Sequence, residues 1–224
     1  HAVWHEGKRR AYCEDDCEKQ LAREAAIYKH LGEHARILRY YGLREIHAGI
    51  HALCMEYAPF GDVRTFLQAN TEKAGQLSEH IRLQMALDAA LGISYIHARG
   101  VVHGDMSCRN LFLFENYRVK IGDFGGSWIE GSDFKMCTWE EPAYELPLRG
   151  REFEGRPARK RELFGLGSAI YEMLVGVYPH EGLDDDEIEQ KFAAEEFPSL
   201  DRVAAGDIIQ KCWDEKFEAQ TRWW

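Results

Sequence analysis

The chain contains the stretch HGDMSCRN at residues 103–110 and, a short segment later, DFG at residues 123–125. The first stretch carries one carboxylate, Asp105, and one carboxamide, Asn110. Between the two stretches, apolar runs flank a polar turn, so residues 111–121 predict a hairpin that returns the second carboxylate, from DFG, beside the first loop. Two hard oxygen ligands and a spare carboxylate suit a magnesium ion, which prefers few carboxylates together with phosphate oxygens.

The composition excludes several classes of protein. With 45% hydrophobic and 29% charged residues, the 224-residue chain is neither disordered nor fibrous. The net charge of −10 argues against nucleic acid or an anionic membrane as a partner, since both are bound mainly through Lys and Arg. The longest apolar stretch, Leu163–Val177, is too short to span a bilayer. The six cysteines form no CxxC pair, which is typical of reduced thiols in a cytoplasmic protein.

Hydrophobic periodicity and capping residues predict a mainly helical chain. Ser78 is a good N-cap for a helix that ends at Gly100. The run Leu163–Val175 is apolar almost all round, which indicates a helix buried in the core. Further predicted elements are a helix over Glu18–Leu31, a strand over Ile50–Met55, a helix capped by Asp62 and running to about Gln68, and a helix that begins at Asp184–Glu187.

The order H-x-D-x-x-x-x-N, hairpin, D-F-G resembles the catalytic and metal-binding loops of protein kinases. The segments Glu162–Gly167 and Ile208–Trp213 resemble two large-lobe helices of that family, the second in its tyrosine-kinase-like members. The sequence of residues 168–173 resembles that of kinase-like domains common in fungi. The resemblance implies an α+β, bilobal protein-kinase-like fold with a truncated small lobe and a mainly helical large lobe. Residues 1–57 would form the partial small lobe and residues 58–224 a large lobe that is incomplete at its C-terminus.

The resemblance also implies a reaction and the residues that carry it. The reaction is transfer of the γ-phosphoryl group of ATP, with Mg²⁺, to a hydroxyl of a protein substrate. Asp105 would orient or deprotonate that hydroxyl. Asn110 and Asp123 would hold the metal ion.

Other positions would bind the nucleotide. Met55 resembles a gatekeeper, and the backbone groups of Glu56 and Ala58 would bond the adenine. Phe112 would form the floor beneath the base. Glu24 resembles the glutamate of the family's helix C, whose usual partner is a lysine on the third strand.

The sequence departs from the family at several of these positions. His5 stands where the third-strand lysine belongs, and a mostly uncharged histidine is a poor phosphate clamp. Lys8 is a substitute only if the strand ends early, because residues 5 and 8 of one strand face opposite sides. Gly104 replaces the arginine before the catalytic Asp, so we expect no switch that depends on an activation-loop phosphate. Glu162 replaces the usual Asp of the large-lobe helix.

Two further departures concern the segments around the site. No glycine-rich loop precedes His5, and no A-P-E triplet occurs; Glu141-Pro142 and Glu145-Leu146-Pro147 are both candidates for that turn. We therefore interpret the chain as an N-terminally truncated kinase domain that by itself transfers little or no phosphate. The exposed edge of its reduced small-lobe sheet is a predicted aggregation hazard.

Two alternatives remain open. Small-molecule phosphotransferases of the aminoglycoside or choline kinase type usually have the same tripeptide, His103-Gly104-Asp105, in this loop. The C-terminal half of the chain, however, favours a protein kinase. The missing lysine favours a kinase-shaped binding module without turnover.

Overall fold

The computed structural model describes residues 8–69, 74–132 and 140–217, with side chains from Glu18 onward. Its helices are α1 (Lys8–Leu31), α2 (Val63–Ala69), α3 (Glu79–Ala98), α4 (Ala158–Val175), α5 (Asp185–Ala193) and α6 (Gly206–Trp213). Its strands are β1 (Tyr40–His47), β2 (Ile50–Met55), β3 (Val101–Val102), β4 (Leu111–Leu113), β5 (Val119–Ile121) and β6 (Trp128–Ile129). Within these ranges, no helix combines the length and the apolar character needed to cross a membrane.

The strands form three small antiparallel pairs, β1 with β2, β3 with β6 and β4 with β5. In the β4–β5 hairpin, Leu111 pairs with Ile121 and Leu113 with Val119, and all four side chains are buried. Phe112 between them is only partly buried, because alternate side chains of a strand point to opposite faces. The register therefore directs Phe112 and its partner Lys120 away from the core.

Helix α4 lies at the centre of the helical part of the molecule, as its apolar sequence predicts. Its side chains from Arg161 to Met173 are all buried. Two glycines let other segments approach it closely. A Cβ at Gly165 would lie 2.7 Å from the carbonyl oxygen of Met106, and one at Gly167 would lie 2.6 Å from Cβ of Cys212. The first approach brings the loop at residues 103–110 against this central helix.

The predicted capping residues start their helices by the expected hydrogen bonds. Ser78 accepts from the backbone N–H of Ile81 at the start of α3. Asp62 accepts from the N–H of Thr65 at 2.8 Å in α2. Asp184 forms a capping box with Glu187 at the start of α5, so this acidic run is explained by helix capping.

One helix boundary differs from the sequence prediction. Helix α1 begins at Lys8 and not at Glu18, because the polar stretch before Glu18 lacks the apolar stripe by which a helix is identified. Lys8 is thus helical and does not continue a strand, and it lies about 24 Å along the helix from Glu24 at 1.5 Å per residue. The sequence left Lys8 open as a substitute for the third-strand lysine only if the strand ends early, and this separation along the helix rules out an ion pair between Lys8 and Glu24. His5 and the strand predicted around it lie outside the described residues.

Candidate active site

The loop between β3 and β4 brings Asp105 and Asn110 into direct contact. The Asn110 side-chain amide donates to the Asp105 carboxylate at 3.0 Å and to the Asp105 carbonyl at 2.6 Å. A single turn of 3₁₀ helix over Cys108–Asn110, capped by the Ser107 hydroxyl, gives the loop this shape. Because the amide nitrogen of Asn110 makes both bonds, its side-chain oxygen is free to face another ligand.

The loop rests on a buried carboxylate of helix α4. Glu162 is 2% exposed and accepts from the His103 backbone N–H at 2.8 Å and bonds His97 Nε2 at 2.5 Å. Glu162 thus holds the start of the loop at His103 through a buried carboxylate. Gly104 has a φ of 84°, a left-handed conformation that glycine adopts without steric cost.

Asp123 follows strand β5 and lies beside this loop. The N–H of the preceding residue, Gly122, donates to the Asn110 carbonyl at 3.0 Å, and the Gly122 carbonyl bonds His103 Nε2 at 2.9 Å. Asp123 has left-handed backbone angles, φ 59° and ψ 68°, and one carboxylate oxygen accepts from the Gly125 N–H at 3.4 Å. The hairpin therefore returns the second carboxylate to the loop that carries the first.

The oxygen atoms of Asn110 and Asp123 suit a magnesium ion that takes its other ligands from phosphate and water. They do not suit a metal ion held by protein side chains alone. Among the described residues, no group of three or more His, Cys, Asp or Glu side chains is arranged to hold a metal. Asn110 and Asp123 together offer an amide and a carboxylate oxygen, and magnesium typically takes its other ligands from phosphates and water. When bound with a nucleotide, this ion would neutralise the charge of the phosphates.

Glu24 of α1 lies close to Asp123 of the D-F-G segment. Burial and the neighbouring Asp123 carboxylate raise the pKa of Glu24 to about 7, although a hydrogen bond from the Phe124 backbone partly opposes the shift. In the part of the chain that the structure describes, no Lys or Arg pairs with Glu24. The ion-pair partner that the family normally supplies is thus missing from the described site.

Four rings that contact one another in turn form a column beside the D-F-G segment and the loop at residues 103–110. Tyr40 stacks on Tyr28 at 5.5 Å between ring centroids, and Tyr28 meets the edge of Phe124 at 4.9 Å. Phe124 in turn contacts the ring of His103 at 5.0 Å. The column connects β1 and α1 to both loops of the site.

The segment after β2 offers fewer backbone groups to a nucleotide than the sequence indicates. The N–H of Glu56 already donates to the Arg39 carbonyl at 2.8 Å, so only its carbonyl remains for an adenine. The Glu56 carboxylate is bound by Lys120 Nζ at 2.6 and 2.8 Å. Met55 is partly buried at the end of β2. The Ala58 carbonyl accepts a hydrogen bond from the Gly61 N–H, so the N–H of Ala58 is the backbone group that it can offer to a ligand.

Phe112 packs against Gly122, at the residue before Asp123. A Cβ at Gly122 would lie 2.8 Å from the Phe112 ring, so only glycine allows this contact. The ring is partly exposed on the face of the hairpin opposite the core. The ring therefore has one face that is open to a ligand, and its role as a floor beneath a base stays a prediction.

Sequence reasoning missed a buried cluster around Arg64. Arg64, in α2, donates to Glu172 at 2.8 Å, to Glu141 at 2.6 Å and to the Tyr144 hydroxyl at 2.6 Å. Glu141 also pairs with Arg109 of the loop at residues 103–110, at 3.2 Å. Burial by itself lowers the pKa of Arg64, but Tyr144 and the carboxylates of Glu172 and Glu141 outweigh it, so the pKa of Arg64 is raised overall.

Of the two candidates for the A-P-E turn, each has a different arginine. Glu145 pairs with Arg156 at 2.7 Å, whereas Glu141 pairs with Arg64. Neither contact could be read from the sequence, because each depends on segments that only folding brings together.

Comparison with known proteins places this geometry in a family. The family model described as "Protein tyrosine and serine/threonine kinase" matches residues 8–222. The chain is 28% identical over 176 residues to "Serine/threonine/tyrosine-protein kinase HT1" of Arabidopsis thaliana, covering 74% of this chain and 43% of that protein. It is 30% identical over 172 residues to "Serine/threonine-protein kinase SIK3 homolog" of Danio rerio, covering 75% and 14%.

A third relative matches over more of the chain. "Fibroblast growth factor receptor 1" of Dugesia japonica is 25% identical over 211 residues, which is 86% of this chain and 24% of that protein. The chain thus spans less than half the length of each of these curated relatives. With a family model matched over nearly its whole length, and with the H-x-D-x-x-x-x-N and D-F-G loops side by side, this chain belongs to the protein tyrosine and serine/threonine kinase family.

Proposed function

We propose that the domain transfers the γ-phosphoryl group of ATP, with Mg²⁺, to a Ser, Thr or Tyr hydroxyl of a protein substrate. In this proposal, residues 1–57 belong to the small lobe and residues 58–224 to the large lobe. The observation that carries the proposal is the direct contact between Asp105 and Asn110 on a loop bonded to the backbone next to Asp123. In this proposal the three polar groups face a shared ligand, because polar groups flanked by apolar strands are costly unless they bind something.

Each of these groups has a chemical role in the proposed transfer. The Asp105 carboxylate accepts the proton of the substrate hydroxyl, or orients that hydroxyl, while Asn110 holds the carboxylate in place. The side-chain oxygens of Asn110 and Asp123 bind Mg²⁺. The Glu56 carbonyl and the Ala58 N–H bond the adenine between Met55 and Phe112.

For this chain alone we expect weak transfer or none. An active kinase uses a lysine, paired with the helix-C glutamate, to hold the phosphates. In the described residues Glu24 has no such cation, and His5 is a poor replacement because a neutral imidazole cannot neutralise phosphate charge. The nucleotide would then bind through the metal and the adenine contacts, with its γ-phosphate poorly positioned.

The proposal is tested by melting the chain with and without Mg-ATP. A ligand that binds the folded state raises the melting midpoint, so we expect a rise of a few degrees at saturating Mg-ATP. The variant Asp123→Asn should lose the part of the rise that needs Mg²⁺, while Asp201→Asn, at an exposed site, should behave as the wild type. If Mg-ATP leaves the wild-type midpoint unchanged, the proposed nucleotide site is wrong.

Transfer itself is measured with radiolabelled ATP and the chain as its own substrate. We expect little incorporation. Strong incorporation that Asp105→Asn abolishes would contradict the expectation of weak activity while supporting the proposed site.

A second candidate is a kinase-shaped binding module without turnover. Glu24, which lies beside Asp123 and pairs with no Lys or Arg among the described side chains, favours it. It predicts a rise in midpoint with no incorporation into any protein. A small-molecule phosphotransferase is disfavoured by the family match over residues 8–222. Its distinguishing outcome would be phosphate transfer to an aminoglycoside or to choline.

The setting of the reaction is also a proposal. The cysteines whose side chains the structure describes, Cys54, Cys108 and Cys212, are free thiols, as expected where thiols stay reduced. We therefore propose that the domain acts in the cytoplasm on protein substrates. The net charge of −10 argues against nucleic acid as a partner.

A further inference from the structure

The hydroxyl of Tyr28 contacts the backbone of the loop that carries Asp123. The Asp123 N–H donates to this hydroxyl at 3.1 Å, and the two residues are 95 positions apart in the chain. Tyr28 lies one helical turn after Glu24 on α1, and its side chain is 4% exposed. This hydrogen bond therefore joins helix α1 directly to the backbone of the proposed metal ligand.

The backbone of Asp123 has a left-handed conformation, with φ 59° and ψ 68°. These angles cost energy in a residue with a Cβ, less in Asp than in most, and a hydrogen bond to the N–H helps to hold them. Gly122 is bonded on its carbonyl side by His103, and Gly125 is bonded to the Asp123 carboxylate. The bond to Tyr28 adds a third fixed point to the turn, the Asp123 N–H.

The ring of Tyr28 is itself held in place. Tyr40 stacks on one side of it with an angle of 18° between the rings, and Phe124 meets it edge-on at 83°. The hydroxyl is thus presented to Asp123 by a ring that cannot swing away without breaking both contacts. Preorganised acceptors of this kind hold a backbone at little entropic cost.

We infer that Tyr28 is a positioning residue of the phosphoryl-transfer site, whose hydroxyl fixes the Asp123 backbone so that the carboxylate faces the metal-bound nucleotide. The role toward the metal rests on the proposed function. The hydrogen bond that carries the inference does not, and it can be tested without any ligand.

The test compares Tyr28→Phe with Tyr40→Phe. Both changes remove one hydroxyl from neighbouring rings of the same stack. The hydroxyl of Tyr28 accepts a hydrogen bond from Asp123, whereas that of Tyr40 is buried and has no hydrogen-bond partner within the described residues. The two variants are thus matched in chemistry and in location.

The first measurement is hydrogen exchange of the Asp123 backbone amide in the unliganded chain, followed by NMR. We expect exchange to be roughly ten-fold faster in Tyr28→Phe, since an amide that loses a hydrogen bond of ordinary strength loses about that much protection. Tyr40→Phe should exchange at the wild-type rate. An unchanged rate in Tyr28→Phe would overturn the inference.

The second measurement separates positioning from general stability. The concentration of Mg-ATP that gives half of the maximal rise in melting midpoint should increase about five-fold in Tyr28→Phe, in line with the loss of one hydrogen bond. The concentration of ATP required in the presence of EDTA should not change. Equal weakening with and without Mg²⁺, or no weakening at all, would overturn the role toward the metal.

The two measurements also distinguish this inference from the proposed function. A wild-type chain that does not respond to Mg-ATP would overturn the proposed function, whereas the exchange rate would still decide whether Tyr28 holds the Asp123 backbone. Faster exchange together with a selective loss of Mg-dependent binding supports both.

Discussion

Glu24 is a residue whose environment contradicts its usual charge. It lies against the carboxylate of Asp123, and burial together with that neighbour raises its pKa to about 7. Because an unfolded glutamate has a pKa of 4.5, the folded chain keeps a proton on Glu24 that the unfolded chain has already lost between these two values. This difference makes stability depend on pH.

The sign of the dependence follows from the direction of the shift. Below pH 4.5 Glu24 is protonated in both states and has no effect. As the pH rises from 4.5 to 7, the unfolded state gains charge first, so the free energy of unfolding should fall by about 2 kcal/mol, allowing for the partial exposure of the group. Glu140, whose pKa is also raised to about 7 by burial, contributes a fall in the same direction.

Urea unfolding of Glu24→Gln at pH 5 and pH 8 measures this effect. The wild type should be less stable at pH 8, and the variant should lose a smaller part of its stability, with the remainder due to Glu140. Glu33→Gln is the control, because Glu33 is exposed at 74% of its side chain and pairs only at the surface with Arg39. Equal losses in Glu24→Gln and the wild type would show that Glu24 is not held in its neutral form.

At the scale of elements, helix α4 determines where the catalytic loop lies. The backbone of Met106 approaches Gly165 so closely that a Cβ there would lie 2.7 Å from its carbonyl oxygen. A backbone atom cannot move aside as a flexible side chain can. Gly165→Ala must therefore displace either the loop or the helix.

We expect Gly165→Ala to lower the free energy of unfolding by about 1 to 3 kcal/mol, the usual cost of overpacking. It should also weaken the stabilisation by Mg-ATP, because the displaced loop carries Asp105 and Asn110. Gly155→Ala is the matched control, since a Cβ there would have no neighbour closer than 3.9 Å. Urea unfolding and thermal melting measure the two effects. If both variants have the same free energy of unfolding and the same melting temperature, the close approach does not hold the loop.

Elements with local signals were predictable from the sequence, and their boundaries follow from the same chemistry. The caps at Ser78, Asp62 and Asp184 start helices in the structure, because a side chain two or three residues from the amide it bonds needs no distant partner. The hairpin over 111–121 is likewise local. The start of α1 at Lys8 was not predictable, because the stretch before Glu18 has no apolar stripe.

The candidate site divides in the same way. The motif positions Asp105, Asn110 and Asp123 could be named from spacing alone, and their roles in the proposed transfer await the experiments above. The bond from Asp123 to Tyr28 could not be named, since the apolar stripe of α1 predicts only that the ring of Tyr28 is buried. The hydrogen bond from the Glu56 N–H to the Arg39 carbonyl could not be predicted from the sequence either.

Contacts between distant segments hold the whole molecule together, and charge plays a larger part in them than the sequence indicates. Arg64 joins α2 to Glu172 of α4, a residue 108 positions away, and to Glu141 near the catalytic loop. Glu172 is 1% exposed, so each charge depends on the other to be tolerated in the core. A sequence read alone assigns such residues to the surface.

The hairpin of β1 and β2 is the opposite case, a place where apolar side chains stay exposed. Tyr41, Leu43 and Ile46 of β1 are 61%, 43% and 55% exposed. The described sheet contains only these two strands, so backbone groups at its edge lack strand partners within the described residues. Exposed apolar side chains on a short, open sheet favour pairing between molecules.

We therefore expect the double variant Leu43→Lys, Ile46→Lys to remain monomeric at concentrations where the wild type associates, because lysine on an open strand opposes edge-to-edge pairing. Light scattering during concentration measures the difference. Leu87→Lys, on helix α3 at 42% exposure, adds the same charge away from the sheet and should associate as the wild type does. If Leu87→Lys prevents association equally well, net charge and not the sheet edge governs solubility, and the two-stranded hairpin carries no particular hazard.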